Sequence, residues 1–333
     1  NWNLTGSDQY ALDAHYGVSQ TYDFYFLNYG RNSMDNLGLA LTSYVNETMV
    51  DNAYWDGSTM HFGVRSVTGI GITSIDITAH ELTHGVTQYT NNLLYYLEPG
   101  AINESMSDIM GKSVQFWSKP TDVNWVISND IGWNIRSMSN PKLYYQPNTY
   151  HGTYWYTGGM DHGGVHTNSG VGNYMFYLLV NGGSSINDLG HPYTVSGIGL
   201  TKADAIIYRT ETIYLITTSW YSDWRDACVL AATDLYGAGS NEVLQVENAF
   251  YAVGIGTSGM PVCTGMPTAG SLSPASVSVC GSGATTLTLS GYPNTVEGIT
   301  VQWKSSANGI TFTNITGAVF ASYTTPVLLS SRY

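Results

Sequence analysis

Apolar residues recur at three- and four-residue steps in two neighbouring segments of the chain. In the segment that starts at Ser74 they are Ile75, Ile77, Ala79, Leu82, Val86 and Tyr89. In residues 101–117 they are Ile102, Met106, Ile109, Met110, Val114 and Trp117. This spacing places apolar side chains on one face of an α-helix. The pattern therefore predicts two amphipathic helices that follow one another closely.

Other segments extend this picture in both directions. Helical spacing predicts further helices over residues 11–29, 170–180, 202–218, 224–236 and 241–253. Alternating apolar and polar residues predict strands over residues 40–50 and 59–67. We expect an α+β fold whose first part is richer in strand and whose second part is mainly helical.

The pattern changes again after Gly254. Residues 256–270 are rich in Gly, Pro, Ser and Thr, which is typical of a tether. Short strand-like segments follow at 276–279, 285–289 and 300–303, separated by turn residues, which is typical of a small all-β module. We expect one domain over residues 1–264, a linker over 265–271 and a second domain over 272–333.

Composition narrows the class of protein. Of the 333 residues 43% are hydrophobic and only 11% are charged, which excludes a disordered chain. The net charge of −13 argues against nucleic acid or an anionic membrane as a partner. The longest apolar run, residues 174–180, is too short to cross a bilayer. Few lysines with many Tyr, Asn, Ser, Thr and Gly favour a secreted bacterial protein in a processed form.

The segment His80-Glu81-Leu82-Thr83-His84 lies on the first of the two central helices. Histidines four positions apart share a helix face, so both can bind one metal ion. Glu81 can reach a water molecule at that ion without binding the ion itself. These five residues alone leave an alternative, a helix with two hydrogen-bonded histidines and a solvated glutamate.

The segment Gly100-Ala101-Ile102-Asn103-Glu104-Ser105-Met106-Ser107-Asp108 lies on the second central helix, with Glu104 twenty positions after His84. With it the sequence resembles the thermolysin family of zinc metallopeptidases, which pairs HExxH with GxxNExxSD. The resemblance implies that one zinc ion is bound by His80, His84 and Glu104. It also implies that Asp108 accepts the second ring proton of His80.

The resemblance extends over about residues 8–263 and implies further roles. Asn52 and the Ala53 backbone would pair with a substrate laid down as an extra strand. Tyr95 and His166 would donate hydrogen bonds to the developing oxyanion, and Asp161 would orient His166. Arg136 would hold a substrate carbonyl. Each of these residues also has an ordinary structural alternative, such as a salt bridge for Arg136.

Together these features imply a two-lobed thermolysin-like domain that acts as a secreted zinc endopeptidase on proteins or peptides. Glu81 would take a proton from a zinc-activated water and pass it to the leaving amine. An aliphatic pocket would favour a bulky aliphatic or aromatic residue just after the scissile bond; its lining would be Ile77, Ile127, Ile131 and Ile135. One alternative is an inert adhesin that retains the fold. The other is an exopeptidase, which would need a charged residue to anchor a substrate terminus, and we find none in the sequence.

The sequence also departs from the family. At the positions of the family's structural calcium ligands it has Asp76 but then Gln115, Asn124, Val126 and Asn129. Because calcium affinity follows ligand charge, we expect calcium to be lost or reduced to one weak site near Asp76. Lys112, one helical turn before Gln115, would supply the positive charge opposite Asp76.

The cysteines and the chain ends carry further expectations. The resemblance to the vibriolysin and pseudolysin branch implies a Cys228–Cys263 disulfide; the alternative is two buried thiols. The tail resembles Ig-like modules of secreted Bacteroidetes enzymes, with Cys280 on the second strand, Trp303 on the third and no later cysteine. The resemblance further implies an inhibitory prosegment and several family strands ahead of Asn1.

Overall fold

The first unit of the chain, Asn1–Gly259, begins with a long helix beside a small sheet. The computed structural model describes residues 7–48, 51–259, 270–278, 283–291 and 301–327. Helix α1 (Ser7–Tyr29) is followed by strands β1 (Ser43–Glu47), β2 (Ala53–Trp55) and β3 (Met60–Gly63). In the sheet order β1-β3-β2, β3 is parallel to β1 and antiparallel to β2. The edge strand β2 is thereby placed beside the central helices.

The predicted helix and both predicted strands of this region are confirmed, but the strands are shorter than the alternating segments. With strands of 5, 3 and 4 residues this region is richer in strand than the rest of the first unit, as expected, although α1 alone has 23 residues. Alternation continues past the residues that form the ladder, because it reflects burial of one face and not backbone pairing.

Two antiparallel helices, α2 (Ile75–Gln88) and α3 (Leu97–Ser118), occupy the middle of the first unit. Both predicted central helices are confirmed, and α3 starts four residues earlier than its apolar periodicity. Residues 98–116 of α3 are all buried, including Glu104, Asp108 and Lys112. A helix buried on every side must satisfy its polar groups within the protein. The polar groups of α3 must therefore find their partners inside the protein.

The rest of the first unit is mainly helical, as predicted. After the hairpin of β4 (Val126–Ile127) and β5 (Arg136–Ser137) come α4 (Asp161–Asn168), α5 (Gly170–Asn181), the hairpin of β6 (Gly183–Ile186) and β7 (Pro192–Val195), α6 (Leu200–Arg209), α7 (Tyr221–Tyr236) and α8 (Asn241–Ala252). The helix predicted over residues 202–218 ends early, in a π-helical turn, Thr210–Tyr214. The β-branched residues Ile216, Thr217 and Thr218 favour a non-helical backbone there.

The second unit, Met260–Tyr333, contains short antiparallel strands. Its described strands are β8 (Ser271–Ser273), β9 (Thr286–Ser290), β10 (Lys304–Ser305), β11 (Thr313–Asn314) and β12 (Ser322–Thr324). They form a sheet in the order β12-β9-β8 and a pair β10-β11.

The strand predicted over residues 285–289 is confirmed. The other two predicted strands are displaced: β8 precedes residues 276–278, and β10 follows residues 301–303. Pro274 lacks the amide hydrogen that would continue the β8 ladder. Cys280 lies outside the described residues, and the Ig-like topology stays a prediction. Among the described residues of the whole chain, no helix is long and apolar enough to span a membrane.

Candidate metal centre and substrate cleft

A cleft of about 550 Å³ lies along the edge strand β2 and over the polar faces of α2 and α3. It is lined on one side by residues 52–57 and on the other by parts of α2, α3, β5 and α4. Of the residues singled out from the sequence, the cleft brings together Asn52, Ala53, Ile77, His80, Glu81, His84, Tyr95, Glu104, Ile135, Arg136 and His166. Residues from six separate segments therefore meet at one surface.

The base of the cleft holds three side chains with metal-binding atoms. His80 and His84 lie one turn apart on α2, with their Nε2 atoms 3.0 Å from each other. Glu104 of α3 faces both, with Oε2 3.5 Å from His80 Nε2 and Oε1 3.4 Å from His84 Nε2. One potential ligand atom from each residue lies within 4.8 Å of the others. Two imidazoles and one carboxylate are a donor set that zinc accepts in a tetrahedral site with one open position.

The hydrogen bonding and the charge of Glu104 fit a bound cation. Glu104 Oε2 is buried and accepts no hydrogen bond from any described residue. Burial alone would raise the pKa of the Glu104 carboxyl, but the imidazoles of His166, His80 and His84 hold it well below its usual range. Glu104 is therefore a buried carboxylate with an unsatisfied oxygen, and a metal ion would satisfy that oxygen.

The two histidines differ in their charge state. Burial lowers the pKa of His84 to about 4, which leaves its imidazole neutral and able to offer a lone pair. Burial would also lower the pKa of His80, but the carboxylates of Asp108 and Glu104 raise it to about 10. The same carboxylates that favour a proton on His80 also favour a metal cation at this position.

Neighbouring side chains orient both histidines. His80 Nδ1 lies 2.9 Å from Asp108 Oδ1. Asp108 in turn accepts hydrogen bonds from Arg136 Nη2 at 2.7 Å, Arg136 Nε at 2.8 Å and Asn173 Nδ2 at 2.8 Å. The Asp108 carboxylate is thus held in place by two other elements, β5 and α5.

His84 has its own partners, which the sequence interpretation missed. His84 Nδ1 lies 2.7 Å from Asn103 Oδ1 and 3.1 Å from Ser107 Oγ. A proton on Nδ1 that is donated to Asn103 leaves Nε2 free to bind a metal ion. Both residues belong to the GxxNExxSD segment, so the motif already contained them. Asn173 carried no comparable signal, because α5 meets α3 only in the tertiary structure.

Glu81 follows His80 on α2 and lines the cleft. Its side chain is buried, and this burial raises the pKa of the carboxyl to about 7. A carboxyl whose pKa lies near neutrality can both accept and return a proton at neutral pH. The position therefore suits a general base and acid.

Two further side chains, Tyr95 and His166, lie close to Glu104 Oε1. Tyr95 Oη donates a hydrogen bond to Glu104 Oε1 and lies 3.2 Å from His166 Nε2. Burial beside Glu104 raises the pKa of Tyr95 well above its usual value, so its hydroxyl keeps its proton. His166 Nδ1 lies 2.6 Å from Asp161 Oδ1, which orients the ring with Nε2 towards the cleft.

The turn that carries this pair has an unusual backbone. Asp161, His162, Gly163 and Gly164 all have positive φ, between 50° and 88°. Such a left-handed run is readily adopted by glycine but rarely by other residues. Across this run Asp161 Oδ2 accepts a hydrogen bond from the His166 amide at 3.0 Å.

Comparison with known families shows to which of them the chain is similar. A sequence profile of the thermolysin metallopeptidase catalytic domain matches residues 1–88, and one of the thermolysin metallopeptidase α-helical domain matches residues 91–255. The chain belongs to the thermolysin family of metallopeptidases. A profile of a domain of unknown function matches residues 268–333, so the tail has no assigned role.

Individual relatives agree with the family assignment. The chain is 43% identical over 259 residues to bacillolysin of Bacillus cereus, a match that covers 74% of this chain and 44% of the relative. It is 44% identical over 261 residues to thermolysin of Alicyclobacillus acidocaldarius subsp. acidocaldarius, covering 74% and 46%. The chain therefore spans less than half the length of these relatives.

A solved structure agrees as well. The precursor of protealysin, a metalloproteinase from Serratia proteamaculans, superposes with a TM-score of 0.62 at 28% identity. The match covers 76% of this chain and 81% of that chain.

Within this thermolysin-family domain, the residues that we predicted to contact the substrate lie in different places. Ala53 pairs with Phe62 of β3, and Asn52 is exposed just before the edge strand. Arg136 lines the cleft while its Nε and Nη2 atoms pair with Asp108. Ile77 and Ile135 line the cleft, whereas Ile127 is 1% exposed in the core and Ile131 packs against the core. The four isoleucines therefore do not all share one surface.

The region behind α2 contains the residues expected at a calcium site. Lys112 is fully buried, and its Nζ lies 3.6 Å from Asp76 Oδ2. The ammonium donates hydrogen bonds to Gln115 Oε1 and, at 3.0 Å, to the Val126 carbonyl. The positive charge expected opposite Asp76 is thus present, and burial lowers the pKa of Lys112. The loss of calcium, or its reduction to one weak site near Asp76, stays a prediction.

Cys228 is buried on α7 and forms no disulfide with any described residue. Its sulfur accepts a hydrogen bond from Thr210 Oγ1 at 3.5 Å. Burial raises the pKa of the Cys228 thiol to about 12, which makes it unreactive at neutral pH. Cys263 lies outside the described residues, so the Cys228–Cys263 disulfide stays a prediction.

Proposed function

We propose that this chain is the catalytic part of a secreted zinc-dependent endopeptidase. One observation carries the proposal: His80, His84 and Glu104 converge at the base of a cleft where Glu81, Tyr95 and His166 also meet. Membership of the thermolysin metallopeptidase family supports the same activity. Secretion is supported by the composition, which combines few lysines with many Tyr, Asn, Ser, Thr and Gly.

The side chains of this chain divide the chemistry among them. Zinc held by His80, His84 and Glu104 would act as a Lewis acid and increase the acidity of water. Glu81 accepts the proton of the attacking water and delivers it to the departing amine, which balances the hydrolysis of the peptide bond. The inert-adhesin alternative lacks a reason to retain this buried carboxyl beside the ligands.

Tyr95 and His166 stabilise the negative charge that develops on the carbonyl oxygen. Their donor atoms lie 3.2 Å apart, so both can reach one oxygen atom. Each such donor stabilises the transition state by about 2.7–4 kcal/mol. Asp161 keeps the His166 ring oriented, and Arg136 lies at the cleft wall where it can meet a substrate carbonyl.

We further propose that the substrate pairs with β2 and that cleavage precedes a bulky aliphatic or aromatic residue. The exposed edge of β2 supports the first point, because a peptide can extend the sheet there. The aliphatic side chains of Ile77 and Ile135 in the cleft support the second, since burying such a side chain is worth about 1.5–3 kcal/mol.

The experiment is digestion of an unfolded protein by the purified chain, with the cut sites mapped by mass spectrometry. We expect cuts before Leu, Ile, Val and Phe that stop with a zinc chelator and return when zinc is added back. Binding of zinc without any chelator-sensitive cleavage would instead support the inert adhesin. Release of single terminal residues would support an exopeptidase.

A further inference from the structure

The three-stranded sheet carries a second polar cluster outside the metal centre, which we call the His61 cluster. It consists of His61 on β3, Tyr44 and Glu47 on β1, Tyr54 on β2 and Asp56 just after β2. Strand register places Tyr44 and Tyr54 on either side of His61. Their rings stack on the imidazole with centroid distances of 5.0 Å and 4.6 Å. One histidine therefore contacts both other strands of the sheet.

Both ring nitrogens of His61 meet a carboxylate. Nδ1 lies 2.6 Å from Glu47 Oε1, and Nε2 lies 3.1 Å from Asp56 Oδ2. Thr59 Oγ1 lies 2.9 Å from the same Nε2. A neutral imidazole has a single N–H and can donate to only one carboxylate, whereas an imidazolium donates to both. Because the Thr59 hydroxyl donates its proton to Asp56 Oδ2 at 3.0 Å, both ring nitrogens face acceptors, and the geometry favours the protonated form of His61.

The surroundings favour that charge. Partial burial would lower the pKa of His61, but its hydrogen bonds to Glu47 and Asp56 outweigh burial and raise the pKa above its usual value. The two tyrosine faces also attract a cation. Tyr54 Oη, which donates to Glu47 Oε2 at 3.2 Å, and Tyr44 complete the titratable groups that the neighbouring strands present to the ring.

The His61 cluster holds the strand that borders the cleft. In the described sheet β2 pairs only with β3, over three residue pairs. Asp56 forms the turn after β2 by accepting hydrogen bonds from the Ser58 and Thr59 amides, both at 2.7 Å. His61 joins this turn to Glu47 of β1 on the far side of the sheet. The short edge strand is thus anchored through one side chain.

We propose that the His61 imidazolium is a positioning residue that clamps the edge strand β2 for substrate pairing and releases it when the ring loses its proton. The pairing role of β2 rests on the proposed function; the clamp itself does not. After deprotonation one ring nitrogen presents a lone pair to a carboxylate oxygen, so an attraction becomes a repulsion.

The direction of the pH effect follows from the raised pKa. Because protonation is favoured in the folded chain, the stabilisation is complete below the usual histidine pKa of about 6.5 and is lost as the pH rises through the raised value. The clamp is therefore closed in weakly acidic solution and open in alkaline solution.

The first test is hydrogen exchange of the β2 and Asp56 amides in the whole chain without substrate, at about pH 6 and about pH 9 and corrected for intrinsic rates. We expect protection in the unsubstituted chain to fall about tenfold or more between these values, as for loss of a charged hydrogen bond. In the His61→Gln variant, protection of these amides should be low at both pH values. The matched control is His191→Gln, which removes a histidine stacked on Tyr251 and should behave like the unsubstituted chain.

Equal protection at both pH values in the unsubstituted chain, or a His61→Gln variant indistinguishable from it, would overturn the clamp. Should His61→Gln fail to fold, Glu47→Gln replaces it: loss of one carboxylate should move the pH transition in protection to lower pH. An unmoved transition in Glu47→Gln would equally overturn the proposal.

The second test is the pH dependence of peptide hydrolysis. At about pH 6 we expect His61→Gln to raise KM about tenfold while kcat changes little, because strand pairing and not the chemical step is affected. A loss confined to kcat would overturn the pairing role even if exchange supports the clamp. The exchange experiment needs no catalysis, so failure of the proposed peptidase activity is distinguished from failure of the clamp.

Discussion

The buried interface between α2 and α3 contains two ionic layers one helical turn apart, and they are balanced in different ways. In the rear layer Asp76 of α2 faces Lys112 of α3. In the cleft layer His80 of α2 faces Asp108 of α3, with Glu104 beside them. The two pairs are four residues apart on each antiparallel helix, from Asp76 to His80 on α2 and from Asp108 to Lys112 on α3. The rear layer includes a cation from the chain, whereas the cleft layer leaves Glu104 Oε2 without a hydrogen-bond donor among the described residues.

The difference shows how one helix pair combines a closed site with an open one. A buried carboxylate needs a positive partner because the interior solvates charge poorly. At Asp76 the partner is covalently part of the protein, so this layer can only stabilise. At Glu104 one carboxylate oxygen has no hydrogen-bond donor among the described residues, so this layer can bind a metal ion and face a substrate. The following predictions test this contrast.

The largest effect is expected from changes in the cleft layer. Glu81→Gln should lower kcat by about 10²–10⁴-fold while zinc binding persists, because only the proton acceptor is removed. Glu104→Gln should lose both activity and zinc, because it removes a ligand. Zinc content after dialysis and peptide hydrolysis separate the two variants. Equal zinc loss in both would contradict the assignment of Glu81 as a non-ligand.

The next effect concerns the rear layer. Lys112→Met should lower the free energy of unfolding by about 3–5 kcal/mol, because Asp76 is left buried without its cation. Urea unfolding measures the change. The control is the double variant Lys112→Met with Asp76→Asn, which removes both charges and should recover part of the loss. Strictly additive destabilisation would show that the two residues do not interact.

A smaller effect is expected for the residue that orients His80. Asp108→Asn should weaken zinc affinity about 10–100-fold, because the ligand loses a negatively charged partner. Competition with a chromogenic chelator measures this affinity. Asn173→Ala, which removes only one donor to Asp108, should reduce affinity less. A larger loss in Asn173→Ala than in Asp108→Asn would contradict this order.

The smallest effect is expected from calcium. If Lys112 serves as the cation of the rear layer, calcium added to the zinc-loaded chain should leave the melting temperature unchanged. A ligand that binds only the folded state raises the melting temperature with concentration. A calcium-dependent rise that disappears in Asp76→Asn would therefore reveal a weak site at this residue.

Much of the cleft layer could be predicted from the amino-acid sequence alone. The four-residue spacing of His80 and His84 follows from helix geometry alone, and the apolar periodicity correctly predicted both α2 and α3. The family motif added Glu104 and Asp108. These features depend on local spacing, so one chain segment at a time is enough to recognise them.

Other features depend on contacts between distant segments. Burial of α3 on every side was not visible in its amphipathic pattern, because polar residues there face other polar residues inside the protein. Asn173 reaches Asp108 only because α5 packs on α3. Likewise, Ile127 and Ile131 have the same residue type as Ile77 and Ile135, yet only the latter two line the cleft.

The sequence by itself determined the chemistry of this protein: an acidic chain with two central helices and a His-Glu donor set suited to zinc. The tertiary structure decided which charged side chains are paired within the protein and which can bind a ligand. Lys112 lies against Asp76, Arg136 is paired with Asp108, and His61 joins two carboxylates across a sheet. The reason is that local periodicity encodes which face of a helix or strand is buried, whereas the partner of a buried charge depends on the packing of segments distant in sequence.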